Sequence, residues 1–394
     1  MLRAMRWLGL LVVSTCGFAL VACGFAPATS GDAHVNPGEG GGNEMVGSEP
    51  LPVGSEPAAL GCYGNGLGVV VCLATPPTTD LTVSILRIVN TTEGSFDCVA
   101  LTGSTMHDYC VLAGTSVNIS GFLVASGSRP LVILSLSTLD VTGTIDVASH
   151  RNASPQFIGP GGDGSCNGVA ASQTAAGGFG GSFGSRGGDG GSTAPPDGQA
   201  GPVIVATTLR GGCPGGSGLD FSIFDNTGGH GGGAVDLIAV NSLSVLGTIN
   251  ASGSGGGGAQ PASNGAGGGG SGGMIVLDAP LMTFDNGTTA IFANGGGGGG
   301  GSSNNVIIHG SAGGDPGGYA SGGTTGGAVG PFGNPSNPTG GDGGAGASTA
   351  GPATPGDDGK HGGGNGGGGG GLGVIRILGG APLPTAGHFS PQPT

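Results

Sequence analysis

Val117-Asn118-Ile119-Ser120-Gly121-Phe122-Leu123-Val124-Ala125 and, 22 residues later, Leu139-Asp140-Val141-Thr142-Gly143-Thr144-Ile145-Asp146-Val147 are two copies of one pattern. Apolar positions alternate, a glycine interrupts them, and the alternation resumes. Every second side chain of a strand points to one face, so each copy describes a strand half in a core and half in water, bent at its glycine. A further copy runs Leu243, Val245, Gly247, Ile249, Ala251, and a looser one runs Met282, Phe284, Ile291, Ala293 with a longer bend. One such strand cannot remove enough apolar area from water, whereas stacked copies can. The 22-residue step predicts an all-β chain folded as a parallel β-helix or solenoid, with Leu139 beside Val117 on adjacent parallel strands. Gly121, Gly143 and Gly247 would stack at a corner, where glycine reaches positive φ without steric cost. An antiparallel β-sandwich also fits short alternating strands and Gly-rich turns; the fixed step favours the solenoid.

A second apolar strand precedes each corner, at residues 131–136, 235–240 and 274–277, and residues 374–378 read as a last, partial coil. Val89 and Val111 precede Ile133 at the same 22-residue step, which makes residues 60–114 an N-terminal cap or the first coils, with strands at 68–73 and 81–89. The solenoid body then spans 115–380. Asp236 falls in the column of Val132 and Ile275, where an acid reads as a strand-edge position rather than a buried one.

Three Gly-rich excursions leave the body at the same place, just after the third strand, at 159–233, 253–273 and 295–371. Insertions at one site per repeat put them on one side. They hold most of the 99 glycines among 394 residues. Ordering one of some 75 residues costs on the order of 100 kcal/mol of backbone entropy, and glycine has no side chain to offset it. The excursions are therefore either mobile or hydrogen-bonded to one another as packed polyproline II helices. Triplets at Gly340, Gly343, Gly346 and at Gly356, Gly359, Gly362 allow packing; runs such as 295–301 favour mobility. Within the first excursion, 203–209 reads as a strand returning to the body.

Residues 1–22 read as a secretory signal, with Arg3 and Arg6 at the start, an apolar run over 7–20, and Leu20-Val21-Ala22-Cys23, which resembles a bacterial lipobox. That resemblance implies lipidation of the Cys23 sulfur, cleavage before it, and anchorage to a membrane by acyl chains. The apolar run is short for a spanning helix. Gly24 after the cysteine, in place of Asp, favours the outer membrane or cell surface. Residues 23–59 lack an apolar period, are rich in Gly, Pro and Glu, and repeat Gly-Ser-Glu-Pro at 47–50 and 54–57, the composition of a disordered tether. Residues 381–394 form a short Pro-rich tail with no assigned role.

Eight cysteines less Cys16 of the signal and Cys23 leave six, an even number suited to disulfides in an exported protein. Sequence neighbours suggest Cys62 with Cys72, Cys98 with Cys110, and Cys166 with Cys213, one pairing among fifteen. No Cys-x-x-Cys spacing occurs and the histidines are scattered, so no metal or other cofactor is expected. Charged residues make up only 8% of the chain and the net charge is −14, two units more negative without Arg3 and Arg6. Phosphate binding needs a basic face, so nucleic acid is excluded as a partner; a neutral-polar surface suits glycans or a surface matrix.

Gly180-Gly181-Ser182-Phe183-Gly184 and Gly269-Gly270-Ser271-Gly272-Gly273 satisfy the G-x-S-x-G pattern of serine hydrolases, but glycine runs generate it by composition and no strand-to-helix turn accompanies it. Gly359-Lys360-His361 lacks the first glycine and the hydroxyl of a phosphate-binding loop. A glycan groove would use Asp140 and Asp146, whose equivalents one repeat later are Ser244 and Asn250; the competing reading is a solvated strand face.

The whole resembles bacterial Gly-rich surface lipoproteins, with a body similar to pectin-lyase-like β-helices. The resemblance implies a non-enzymatic surface scaffold presenting Gly-rich loops for adhesion, matrix or coat structure. One alternative is a polysaccharide-binding or polysaccharide-cleaving β-helix protein. Another is an ice-binding or cohesive protein, because Gly-rich antifreeze proteins stack such helices.

Overall fold

The structure is a computed structural model. It describes residues 61–66, 69–99, 101, 108–151, 157–168, 170–171, 175–192, 197–218, 226–260, 264–285, 287–303, 309–316, 340–360, 363–379 and 388–394. The chain divides into two compact units, Met1–Gly54 and Ser55–Thr394. All described residues belong to the second. The signal, Cys23, the tether and residues 381–387 of the tail lie outside the described residues.

The described chain is all-β. Its strands are β1 Cys62–Gly66, β2 Val69–Cys72, β3 Leu81–Val83, β4 Leu86–Asn90, β5 Cys110–Gly114, β6 Val117–Ile119, β7 Phe122–Ser126, β8 Leu131–Ser135, β9 Thr138–Val141, β10 Thr144–Asp146, β11 Ala234–Ala239, β12 Ser242–Val245, β13 Thr248–Asn250, β14 Met274–Asp278, β15 Met282–Phe284, β16 Ala290–Phe292, β17 Val374–Leu378 and β18 His388–Ser390. β1 and β2 form an antiparallel hairpin. The others visit three parallel sheets in rotation: β3-β6-β9-β12-β15, β4-β7-β10-β13-β16-β18 and β5-β8-β11-β14-β17.

The register follows the repeated stretch. Leu139 pairs with Val117 and Leu243, and Val141 with Ile119 and Val245. In the second sheet Ile145 pairs with Leu123 and Ile249. Gly121, Gly143 and Gly247 do stack, but none has positive φ. Their requirement is close approach: a Cβ on Gly143 would stand 2.0 Å from Gly121 O, and one on Gly247 2.1 Å from Gly143 O.

The first sheet alternates in burial, as β6 and β12 show, whereas β8, β11 and β14 are buried along their whole length. Two apolar layers explain the difference. Inward side chains of all three sheets, among them Ile119, Leu139, Ile145, Leu237, Ile249 and Ile275, form one core. The outer face of the third sheet packs in a second, against Val69 and Val71 of the hairpin, Phe183, Leu209 and Cys213. A strand covered on both faces reads as a continuous apolar run, which is the sequence of 131–134 and 274–277.

Several expectations change. Of the two readings of 60–114, a cap or the first coils, the parallel sheets follow the second from Leu81 on, but 81–89 is two strands parted at Ser84-Ile85. Val111 pairs with Val132, not Ile133, and Val89 belongs to another sheet, beside Ala125. The third sheet advances 21 residues between Cys110 and Leu131, so the 22-residue column slips there. Asp236 pairs with Val132 as expected and with Val276 rather than Ile275. It is buried, 1% exposed, not at an edge, because the second apolar layer covers it. Residues 203–209 form no strand; Ala206 and Leu209 are instead buried against the third sheet. The tail contributes β18, which pairs with β16 and buries Phe389 in the core.

Candidate functional surface: the glycine bundle and its root

The Gly-rich excursions follow β10, β13 and β16, joining the second sheet to the third. Their described residues are ordered by backbone hydrogen bonds to one another. Residues 264–273 show the rule. Ala266, Gly269 and Gly272 donate to Asn365, Gly368 and Gly371; Gly267, Gly270 and Gly273 donate to Gly257, Ser254 and Ala251; Gly268 and Ser271 donate to Gly216 and Cys213. Their carbonyls accept in the same rhythm from Gly178 and Gly181, from Gly299 and Gly296, and from Gly229 and Gly232. Each third residue faces the same neighbour, the three-residue period of a polyproline II helix, which has no internal hydrogen bonds and bonds sideways instead.

Residues 264–273 thus have six neighbouring segments, and the bonds of 363–373 give the same count: 175–181, 188–191, 354–357, 341–347, 293–302 and 266–272. Six neighbours around a threefold helix is hexagonal packing. It leaves no room for a side chain at most glycines, though Ala266, Ser271 and Asn365 are accommodated: a Cβ on Gly269 would stand 2.0 Å from Gly296 O, and one on Gly367 2.0 Å from Gly267 O. Of the two expectations for the excursions the packed one holds for their described residues, including 295–301, where the run of glycine favours mobility. Peripheral segments carry side chains on their outward positions, among them Arg186, Pro214, Ser217, Thr227, Thr354 and Asp358.

Where the bundle meets the second sheet, polar side chains bind the two together. Asp146, at the end of β10, is buried; its Oδ1 accepts from Ala148 N at 3.0 Å and its Oδ2 stands 3.1 Å from His150 Nε2. His150 Nδ1 lies 3.9 Å from Asp315 Oδ2. Asp315 accepts from Gly255 N at 2.8 Å and Arg151 N at 3.1 Å, while Arg151 donates to Gly255 O at 2.9 Å and Thr227 O at 2.8 Å. Burial would lower the His150 pKa, but the hydrogen bond to Asp146 and the charges of Asp146 and Asp315 outweigh it and hold the ring above its ordinary value. Asp315 is raised by burial, against the pull of its amide donors and of His150 and Arg151. A second histidine-carboxylate contact, His230 with Asp163, ties the start of the first excursion to 226–233.

No protein-family model, curated protein or solved structure matches this chain. Function is therefore read from the residues. Three cysteine pairs stand at disulfide distance, Cys62–Cys72, Cys98–Cys110 and Cys166–Cys213. Asp140 and Asp146 do not share a face: Asp140 lies on the outward row of the first sheet, in register with Asn118 and Ser244, and Asp146 lies buried in the second. Ser244 and Asn250 are their partners one repeat on, as expected. Ser271 Oγ accepts from Cys213 N, and Ser182 Oγ accepts from Gly187 N, so both G-x-S-x-G serines are bundle parts. Among the described residues no group of three or more His, Cys, Asp and Glu is arranged to hold a metal ion. Sequence reasoning missed His150 and Asp315, which lie 165 positions apart with two Gly-rich excursions and several strands between them.

Proposed function

We propose that this chain is a non-enzymatic, lipid-anchored protein of the outer membrane or cell surface, in which a β-solenoid carries a rigid glycine bundle for adhesion, matrix or coat structure. The three parallel sheets would be the faces of one stacked coil, each turn contributing one strand to each. The observation that carries the display role is the division of labour in the bundle: the interior is mostly backbone, with a few small buried side chains such as Ala266 and Ser271, and larger side chains stand at its periphery. A hydrogen-bonded lattice holds those side chains at fixed spacing, so a ligand meets a preorganised surface and little ordering cost. Acylation of Cys23 and the 23–59 tether would hold it off the membrane.

A second reading, polysaccharide binding along the first sheet, is favoured by Thr82, Asn118, Asp140, Ser244 and Thr283, which stand in register on one outward row. One experiment separates the two. The wild type, a Thr227→Ala/Arg186→Ala/Asp358→Ala variant and an Asp140→Ala/Asn118→Ala variant are compared on immobilised glycans and whole cells. Loss confined to the first variant supports display by the bundle; loss confined to the second moves the function to the strand face. Palmitate labelling that persists in Cys23→Ala would remove the anchor.

A further inference from the structure

We propose that Asp315 and His150 form a pH-operated latch that decides whether residues 309–316 stay docked on the bundle. Both ring nitrogens of the buried His150 face carboxylate oxygens, Nε2 towards Asp146 and Nδ1 towards Asp315. A neutral imidazole has one N–H, whereas the imidazolium has two and carries a charge that attracts both carboxylates, by a hydrogen bond to Asp146 and by an ion pair to Asp315 across 3.9 Å. Among the described residues the other charged group facing Asp315 is Arg151, which donates to Gly255 O and Thr227 O. With His150 protonated, two carboxylates meet two cations and the buried site is neutral. With His150 neutral it carries one uncompensated negative charge, which burial makes costly.

Asp315 is where that cost falls on a movable element. Residues 309–316 lie along the bundle by Gly310 N to Ala259 O and Gly313 N to Gly256 O, and they accept from Gly300 and Gly297 at Ser311 O and Gly314 O. Their backbone bonds two bundle segments among the described residues, 256–259 and 297–300, against six for 264–273. At their start His309 Nδ1 meets Gln260 Oε1 at 2.9 Å, in an exposed contact.

The folded pKa of His150 lies above the unfolded value, so the stabilisation is complete below about pH 6.5 and is lost as pH rises through the folded pKa. Protonation of Asp315 sets an acid limit, which burial of its carboxyl moves upward. The latch is closed between the two.

Amide hydrogen exchange on the full-length protein, corrected for intrinsic rate, tests this. Protection at Gly310 and Gly313 should fall by roughly tenfold or more between about pH 5.5 and about pH 8.5, while Gly344 and Gly367 keep theirs. His309→Gln should behave as wild type, and His150→Gln should show low, pH-independent protection at the same two amides. Wild-type protection that does not change with pH overturns the latch. So does a parallel loss at Gly344 and Gly367, which would report global unfolding. If His150→Gln fails to fold, the carbon-bound ring protons of wild-type His150 decide: titration below about 6.5 overturns the proposal and titration above it supports it.

Discussion

A methyl group on Gly269 would stand 2.0 Å from Gly296 O, whereas one on Gly287 would meet nothing within 4 Å. Gly269→Ala should therefore destabilise by roughly 3 kcal/mol or more, or block folding, because its neighbour is backbone and cannot swing aside. Gly287→Ala should stay within about 0.5 kcal/mol of wild type, both read by thermal unfolding. Asp236 is the opposite kind of residue, a side chain where the fold asks for none of its chemistry. It stands between Val132 and Val276, and its Oδ1 has no hydrogen-bond partner. Burial, with Asp278 nearby, pushes its pKa well above the usual carboxylate range. A raised carboxyl pKa costs stability as pH rises above the unfolded value near 3.8. Asp236→Val should accordingly raise the melting temperature at pH 7, by about 1 to 3 kcal/mol of stability, and the gain should shrink towards about pH 4.

At the scale of elements, strands were legible where side chains alternate. Val117 and Leu139 announced their pairing because apolar positions recur on both sides of a glycine. Val111 did not, because the third sheet is largely apolar on both faces and a column can slip by one with little change of character. β18 escaped notice with a single large apolar residue, Phe389, in three. The bundle was one of two readings the sequence left open, and for a deeper reason: its order is written in backbone amides, which every residue has, and glycine marks it only by what is missing. Runs of glycine looked like freedom and are the segments with most neighbours; triplets mark the rim. The Cys166–Cys213 pair ties the first excursion into the second apolar layer, where Cys213 is buried. Replacing both by alanine should cost about 4 kcal/mol in the chain-entropy account of a loop this long, measurable by denaturant unfolding. Leu139→Ala, in the inner core, should cost about 3 kcal/mol without disturbing the bundle amides.

The whole of the described molecule joins two materials, sheets that hide hydrocarbon and a lattice that hides peptide groups. Unfolding the first exposes apolar surface to water and raises the heat capacity; unfolding the second exposes polar surface and lowers it. The sum should fall well below the usual 12 to 15 cal/mol/K per residue, roughly, for a globular protein, a quantity scanning calorimetry reads directly. A small heat-capacity increment flattens the curve of stability against temperature. The bundle should thus keep its strength in the cold, where proteins held mainly by hydrocarbon burial weaken.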